Sequence, residues 1–340
     1  MNAERLEQIF ARFPQQTILV VGDFFLDKYL LIERALAETS LETNLETHQV
    51  VEVRAQAGAA GTVTNNLRAM DVQVLALGVL GEDGEGFELT RALRKTGVET
   101  AALLRSPERF TPTYTKPMQR EKDGRVHELN RLDLKNRRKL PAVLEDEVIE
   151  RLRRIVPGVQ GVIVADQVPE EDCGVITARV RAELSGLARA YPRVFFAADS
   201  RERIGCFREL MVKPNAREAT RAVASNRKTE LDSAVAEACA AELFRRNGKP
   251  VFLTLGADGI RVFTGGEPVR VEACVVPEPI DIVGAGDATM AGIMAALCSG
   301  ADWAEAARVG TLAAAVTIRQ IGTTGTASRA QMRAIAGVGR

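Results

Sequence analysis

Residues 281–289, Asp281-Ile282-Val283-Gly284-Ala285-Gly286-Asp287-Ala288-Thr289, join a glycine-rich polar turn directly to a nearly all-apolar run, Ala288 to Leu297. Such a run reads as a buried helix, and Gly300 stands where that helix would stop. Gly284, Ala285 and Gly286 carry little or no side chain, so their backbone N–H groups are free to face a ligand. A helix N-terminus adds unpaired donors and a positive dipole end, which suits phosphate oxygens. Asp287 then sits at the mouth of an anion site. A carboxylate there cannot bind the anion, but it can take a proton from a hydroxyl that attacks phosphorus. The arrangement suggests a kinase. The same residues also fit an ordinary loop with Asp287 as helix N-cap, so the rest of the chain has to decide.

The bulk properties remove several alternatives. A chain of 340 residues, 46% hydrophobic and 26% charged, has ordinary globular composition. Its 45 basic and 45 acidic residues cancel, so no global field holds nucleic acid or an anionic membrane. No apolar run reaches the roughly 20 residues of a membrane span. Met1 to Gln16 is patterned like a short helix and lacks the basic start and apolar core of a signal peptide. The five cysteines are scattered and odd in number, which reads as reduced thiols in a cytoplasmic protein. With only two histidines, a zinc site is not expected.

Thr17 to Gly22 is a β-branched run ending in glycine, a buried strand, with Asp23 and Asp27 just beyond it. Ligands gather at the carboxyl ends of strands in open parallel sheets, although Asp23 also suits a turn. Leu30 to Ala55, rich in Glu and Thr, reads as strands outside the main core, a flap. Gly58-Ala59-Ala60-Gly61 opens a helical pattern from Thr62 to Met70, and Val72 to Leu80 is another strand. A helix follows over Phe87 to Thr96, and Thr111 to Asp133 reads as exposed strands. Helices are expected over 139–156, 176–190 and 231–247, and strands over 161–165, 194–198, 209–213, 251–255 and 260–263. Asp302 to Glu305 is a capping box that starts a further helix. The alternation of strand and helix from Val156 onward predicts a three-layer α/β/α sandwich with a mostly parallel central sheet. No second core or linker interrupts residues 1–340, which reads as one domain.

Together these segments resemble the ribokinase-like (PfkB) carbohydrate kinases over nearly the whole chain, roughly Ile18 to Thr326. The blocks follow in the family's order: Val20 to Asp23 with Asp27; Gly58 to Leu67, the glycine-rich sugar loop; Gly78 to Gly86; Lys213-Pro214-Asn215 with Glu218; Leu253 to Gly259, the nucleotide loop; and Asp281 to Asp287. The resemblance implies a small β-flap over the sugar, with strands within 30–55 and 111–133, which in many relatives also forms a dimer contact. Thr115-Lys116, Arg131-Leu132-Asp133 and Ile321-Gly322-Thr323 lean towards the heptose-phosphate kinase branch. The nucleotidyl-transfer domain fused in some of that branch is not expected here.

The roles implied run as follows. Asp287 takes the hydroxyl proton, and the N–H groups of Ala285, Gly286 and Asp287 hold the phosphoryl charge. Asn215 and Glu218, three apart and so on one face if helical, hold Mg²⁺ through water. Thr254, Gly256, Asp258 and Gly259 shape the ATP site, and Asp258 also suits a simple turn. Asp23 and Asp27 accept from sugar hydroxyls, with Gly58, Ala59 and Thr62 lining the same pocket. Lys116 or Arg131 meets a substrate phosphate, while Asp281 and Val283 lie where relatives place a monovalent cation such as K⁺. Two departures stand out. Ala59 and Thr62 replace the usual second glycine and asparagine of the sugar loop, and Gln167-Val168-Pro169-Glu170-Glu171 follows the strand ending at Asp166 in place of a Tyr and a Lys-Gly pair. There is no Gly-x-x-x-x-Gly-Lys-Ser/Thr loop, and no Gly-x-Gly-x-x-Gly after the first strand, which disfavours a dehydrogenase. A nucleoside or other small-alcohol kinase on the same fold, or a sugar- or nucleotide-binding sensor without turnover, remain alternatives.

Overall fold

The computed structural model describes residues 1–223 and 232–337. Its centre is an eight-stranded sheet in the order Val269–Val271, Ile260–Phe263, Val251–Thr254, Met211–Val212, Phe195–Ser200, Gly161–Asp166, Thr17–Gly22, Gln73–Leu77. The six strands from Val251–Thr254 onward pair in parallel, and the outer two run antiparallel.

The interior strands are buried on both faces, and their sequences explain why. Along Thr17–Gly22, Ile18 and Val20 point into one apolar cluster while Leu19 and Val21 point into the other. A strand covered on both faces has no polar side to present, hence the unbroken apolar run. Helices Ala3–Arg12, Ala60–Ala69, Ala285–Cys298 and Trp303–Thr317 cover the first face. Helices Ala142–Ile155, Ala178–Ala190 and Ser233–Asn247 cover the second. Every residue of Ala285–Cys298 from Ala288 to Leu297 is buried, so the all-apolar run is a helix enclosed by its neighbours.

A second sheet of five strands leaves this body. Phe24–Glu33 pairs antiparallel with Val50–Ala59 and parallel with Thr113–Arg120, which in turn pairs with Val126–Glu128 and Leu132–Leu134. This is the flap, and it begins six residues earlier than the Leu30 boundary read from sequence. Phe24 and Leu26 are core residues, so the first half of that strand looks apolar throughout and hides the departure.

Other boundaries shift for local reasons. Gly58 and Ala59 end a flap strand rather than open a helix; the helix starts at Ala60, whose N–H donates to Asp23 O at 3.0 Å. The run Val72 to Leu80 splits: Gln73–Leu77 joins the main sheet, and Val79–Gly81 pairs with Leu104–Ser106. The expected strand 209–213 shortens to Met211–Val212. The expected helix start at Leu231 lies outside the described residues, and the helix is described from Ser233. Among the described residues, no helix is long and apolar enough to cross a membrane.

Candidate active site

The carboxyl ends of the parallel strands and the underside of the flap converge on the turn that carries Asp287. Gly284 caps the Ala285–Cys298 helix in the left-handed region, φ 79°, where glycine adds no strain. The Ala285 N–H turns back to Ile282 O at 3.2 Å. The Gly286 and Asp287 N–H groups have no acceptor among the described residues. Two of the three amides read as the anion cradle are therefore free, and the third is used in the turn.

The site is strongly charged. Lys213, 4% exposed, places Nζ 2.9 Å from Asp199 Oδ2. A β-carbon added to Gly286 would stand 3.6 Å from the same Nζ, so the ammonium lies directly against the first turn of the Asp287 helix. Burial works to lower the Lys213 pKa, but Asp199 and Glu218 outweigh it and the net direction is up. The Asp287 carboxyl is pushed up to about 7, first by burial and then by the Asp199 charge, against the pull of Lys213 and Arg201. Asp27 adds to that upward push, which places the flap carboxylate and the helix carboxylate within each other's field.

Asn215 and Glu218 form a reciprocal cap. Glu218 N–H donates to Asn215 Oδ1, and Asn215 N–H to Glu218 Oε2, each at 2.9 Å. The Glu218 carboxyl rises to about 7, through burial and then Asp199, with Lys213 opposing. Next to this block, Thr254 N–H donates to Pro214 O at 2.9 Å, so the nucleotide loop is stitched to the Lys213–Asn215 turn. Gly256 is open, with nothing within 4 Å of an added β-carbon, whereas one on Gly259 would lie 2.1 Å from Val271 O. Gly259 thus serves close packing of the chain on itself. Asp258 is an exposed turn residue.

On the flap, Asp27 is the centre of a row. It lies beside Gln56 on one neighbouring strand and Tyr114 on the other. Lys116 Nζ is 3.4 Å from Asp27 Oδ1 and donates to Tyr29 Oη at 3.1 Å. A methyl on Gly58 would sit 2.5 Å from Asp27 Oδ2, so a side chain there would push the carboxylate aside. Lys116 and Arg54 flank the Tyr29 ring, 4.7 and 5.2 Å from its centroid. Arg131 stacks 4.1 Å from the Tyr114 centroid and is held in a two-point pair by Asp133. Gln56 Nε2 also donates to Thr324 Oγ1 at 3.1 Å. A β-carbon on Gly284 would lie 2.7 Å from Thr324 Cγ2 and 3.4 Å from Thr62 Cγ2, so flap, sugar loop and anion turn converge.

Asp23 differs from its expected part. Its carboxylate accepts the N–H groups of Gln167, Val168 and Val175 at 2.8, 3.0 and 2.7 Å, and it is 3% exposed. Burial, then the Asp166 charge, raises its pKa to about 6 in spite of those donors. It braces the 167–175 loop. Ala59, at φ 53° and ψ −120°, holds a conformation that favours glycine. Asp281 accepts Val283 N–H at 3.0 Å and Gly322 N–H at 3.2 Å.

Sequence reasoning passed over Arg201, Gln56 and Thr324, and gave Asp199 and Lys213 no part of their own although Lys213 stood in the block with Asn215 and Glu218. Asp199 lies at the carboxyl end of the strand Phe195–Ser200 and Lys213 directly follows Met211–Val212, positions that could have marked them.

Free amides at a helix N-terminus, a raised carboxyl beside them and a buried lysine beneath them form a site suited to a phosphoryl group. The chain belongs to the pfkB family of carbohydrate kinases, whose model matches residues 16–330. Bifunctional protein HldE of Trichlorobacter lovleyi is 28% identical over 326 residues, covering 95% of this chain and 63% of its own. Bifunctional protein HldE of a Bradyrhizobium species is 29% identical over 333 residues, covering 97% and 65%. The chain thus spans a little under two thirds of the length of these relatives. Among solved structures, Arabidopsis thaliana ribokinase complexed with ribose and ATP superposes with TM-score 0.69 at 19% identity, over 94% of this chain and 98% of that one. Phosphofructokinase-2 from Escherichia coli in complex with potassium gives 0.70 at 16%, over 95% and 98%. These two share the fold.

Proposed function

We propose that this chain transfers the γ-phosphoryl group of ATP to a hydroxyl of a sugar phosphate, with Asp287 as base. The observation that carries this is the convergence of Asp27 on the flap with Asp287 and the free Gly286 and Asp287 amides. The acceptor hydroxyl lies between the two carboxylates. Asp287 takes its proton as the oxygen attacks phosphorus, and the two amides hold the charge on the phosphoryl oxygens. Lys213 supplies a fixed positive charge beneath the cradle. Asp27, not Asp23, accepts from the sugar, because Asp23 is already occupied by backbone donors.

The acceptor's far end meets Lys116 and Arg54 across Tyr29, with Arg131 on Tyr114 beside them, which favours an acceptor that carries a phosphate. This accords with the heptose-phosphate kinase branch. The replaced sugar-loop positions Ala59 and Thr62 keep a nucleoside or other alcohol acceptor as the second reading.

The residues suit magnesium bound through water. No cluster of three or more His, Cys, Asp or Glu able to hold a metal occurs among the described residues. Among the described residues Glu218 Oε1 has no protein partner beside the Oε2 capping bond, which fits an ion that retains much of its water shell and leans on phosphate oxygens. When bound, the ion neutralises charge on the phosphate chain. Asp281, with both oxygens already ordering the 281–283 turn and Gly322, retains lone pairs for a monovalent cation such as K⁺. A homodimer through the flap is favoured by the edge strand Val50–Ala59, whose Val51 and Val53 are 49% and 53% exposed. Five free cysteines fit a reducing cytoplasmic compartment.

ADP release is the test, with ATP, Mg²⁺ and a panel of hexose, heptose and pentose phosphates beside their unphosphorylated sugars and nucleosides. Turnover with phosphorylated sugars and its loss in Asp287→Asn support the proposal. Ligand-shifted melting without ADP release from any acceptor would identify a sensor instead.

A further inference from the structure

One exposed guanidinium near the Asp287 turn has no partner for its ends among the described residues. Arg201 follows the strand Phe195–Ser200, and its main chain is fixed on both sides: its N–H donates to Asp166 O at 3.2 Å, and its carbonyl accepts from Arg221 Nη1 at 3.1 Å. Its Nε–H donates to Gln167 Oε1 at 2.8 Å. Gln167 is 7% exposed, and its own N–H is held by Asp23 Oδ2 at 2.8 Å. Asp23 thus holds the Gln167 backbone, and the Gln167 side chain holds one edge of the guanidinium. Arg203, two residues on, is fully engaged with Asp166 and the carbonyls of Val168 and Pro169. Arg201 has no carboxylate within ion-pair distance, and its terminal nitrogens have no acceptor, among the described residues.

Its charge is felt on both sides of the site. It draws down the pKa of Asp287 and of Glu218 on the phosphate side, and of Tyr114 on the flap. The Lys213 ammonium is paired with Asp199, whereas Arg201 carries no such pair among the described residues. A planar fork with one edge clamped and the other open suits phosphoryl oxygens.

We propose that Arg201 is a catalytic residue of the phosphotransfer, its terminal N–H groups binding oxygens of the phosphoryl group in transit, and that Asp23 and Gln167 are the positioning residues that aim it. This rests on the kinase reading above. In the step, the acceptor oxygen forms a bond to the γ-phosphorus, and the bond from that phosphorus to the bridging oxygen breaks. ADP leaves with the electron pair, and the hydroxyl proton passes to Asp287. Arg201 stays protonated and gives up no proton.

The experiment uses the full chain, ATP, Mg²⁺ and whichever panel acceptor gives the fastest wild-type turnover. Arg201→Met should lower kcat by about 10²–10³-fold, as expected for a lost transition-state donor, with the KM for ATP changed less than about threefold. Added methylguanidine should restore part of the turnover of Arg201→Ala, and Arg201→Lys should be intermediate because a point charge lacks the fork. Gln167→Leu should lower kcat by about tenfold with no response to methylguanidine. Wild-type kcat in Arg201→Met, a loss confined to the acceptor KM, or no rescue by methylguanidine in a folded Arg201→Ala would each overturn the proposal. Absence of wild-type turnover with every acceptor sinks the kinase reading itself. In that case tenfold weaker binding of ADP with Mg²⁺ and aluminium fluoride to Arg201→Met, at unchanged ADP affinity, still supports the contact, and equal binding removes it.

Discussion

Lys213 and Asp199 form a buried ion pair, Nζ to Oδ2 at 2.9 Å, directly beneath the turn that carries Asp287. Asp199 is 8% exposed and Lys213 4%, so neither charge has water to fall back on. Removing one partner leaves the other buried and uncompensated. Lys213→Met should therefore cost about 3–5 kcal/mol in urea unfolding, whereas the double variant with Asp199→Leu should recover much of it. Turnover should be lost in both, because the cradle's fixed positive charge is gone in both. Recovery of activity along with stability would show the pair to be structural only.

The Asp287 carboxyl, raised to about 7 by burial and by Asp199, sets a pH dependence. As a base it must be ionised, so kcat/KM for the free enzyme should rise with pH through about 7 and level off above. Asp287→Asn should keep ATP binding and lose about 10²–10⁴-fold in kcat. Stability moves the other way. In the folded protein Asp23, Glu218 and Asp287 hold protons to about 6, 7 and 7, well above their ordinary range near 4. The folded state binds more protons than the unfolded between those limits, so stability without ligand is greatest below about pH 4 as far as these groups go, and falls as pH rises to about 7. Denaturant titrations across pH 4.5–7.5 should show that slope, and Asp287→Asn should flatten it.

Ala59 stands where a glycine would be relaxed, at φ 53° and ψ −120°. Backbone strain of that kind costs about 1–3 kcal/mol, while glycine loosens the unfolded chain by about 0.5–1 kcal/mol. Ala59→Gly should leave a net gain of about 0.5–2 kcal/mol in thermal or urea unfolding. Gly58→Ala, one residue away, should act in reverse, since the new methyl would meet Asp27 Oδ2 at 2.5 Å and force the carboxylate aside. Its signature is a raised acceptor KM with ATP affinity unchanged.

The contrast between neighbouring residues shows what the sequence could and could not convey. Strands such as Thr17–Gly22 and Gly161–Asp166 were legible because burial on both faces demands an unbroken apolar run. The Asp302–Glu305 capping box was legible because its two hydrogen bonds need those residue types at that spacing. The start of the flap was not, because Phe24 and Leu26 are buried against the body and only later residues of the strand turn polar. Asp23 and Asp27 look alike in the chain. Only the path of the 167–175 loop decides that one carboxylate meets backbone N–H groups and the other meets Lys116. Arg201 was silent for a related reason: a lone cation after a strand gains its meaning from what other segments bring beside it.

The flap's cations give the last prediction, which concerns what the acceptor carries. Lys116 is 15% exposed at its side chain and balances Asp27 at 3.4 Å. Burial works to lower its pKa, yet Asp27 and Tyr29 outweigh that and hold the ammonium charged. A phosphate placed near Tyr29 would share this charge with Arg54. Lys116→Met removes the attraction and at the same time leaves Asp27 without its cation. For a phosphorylated acceptor both losses act, and KM should rise by about 10- to 100-fold, the range of one charge-assisted contact. For the same sugar without its phosphate only the second acts, so the ratio of the two kcat/KM values should collapse towards unity. Arg54→Met should shift the same ratio without disturbing Asp27. An unchanged ratio in both variants would place the acceptor's phosphate elsewhere, or show that the acceptor has none.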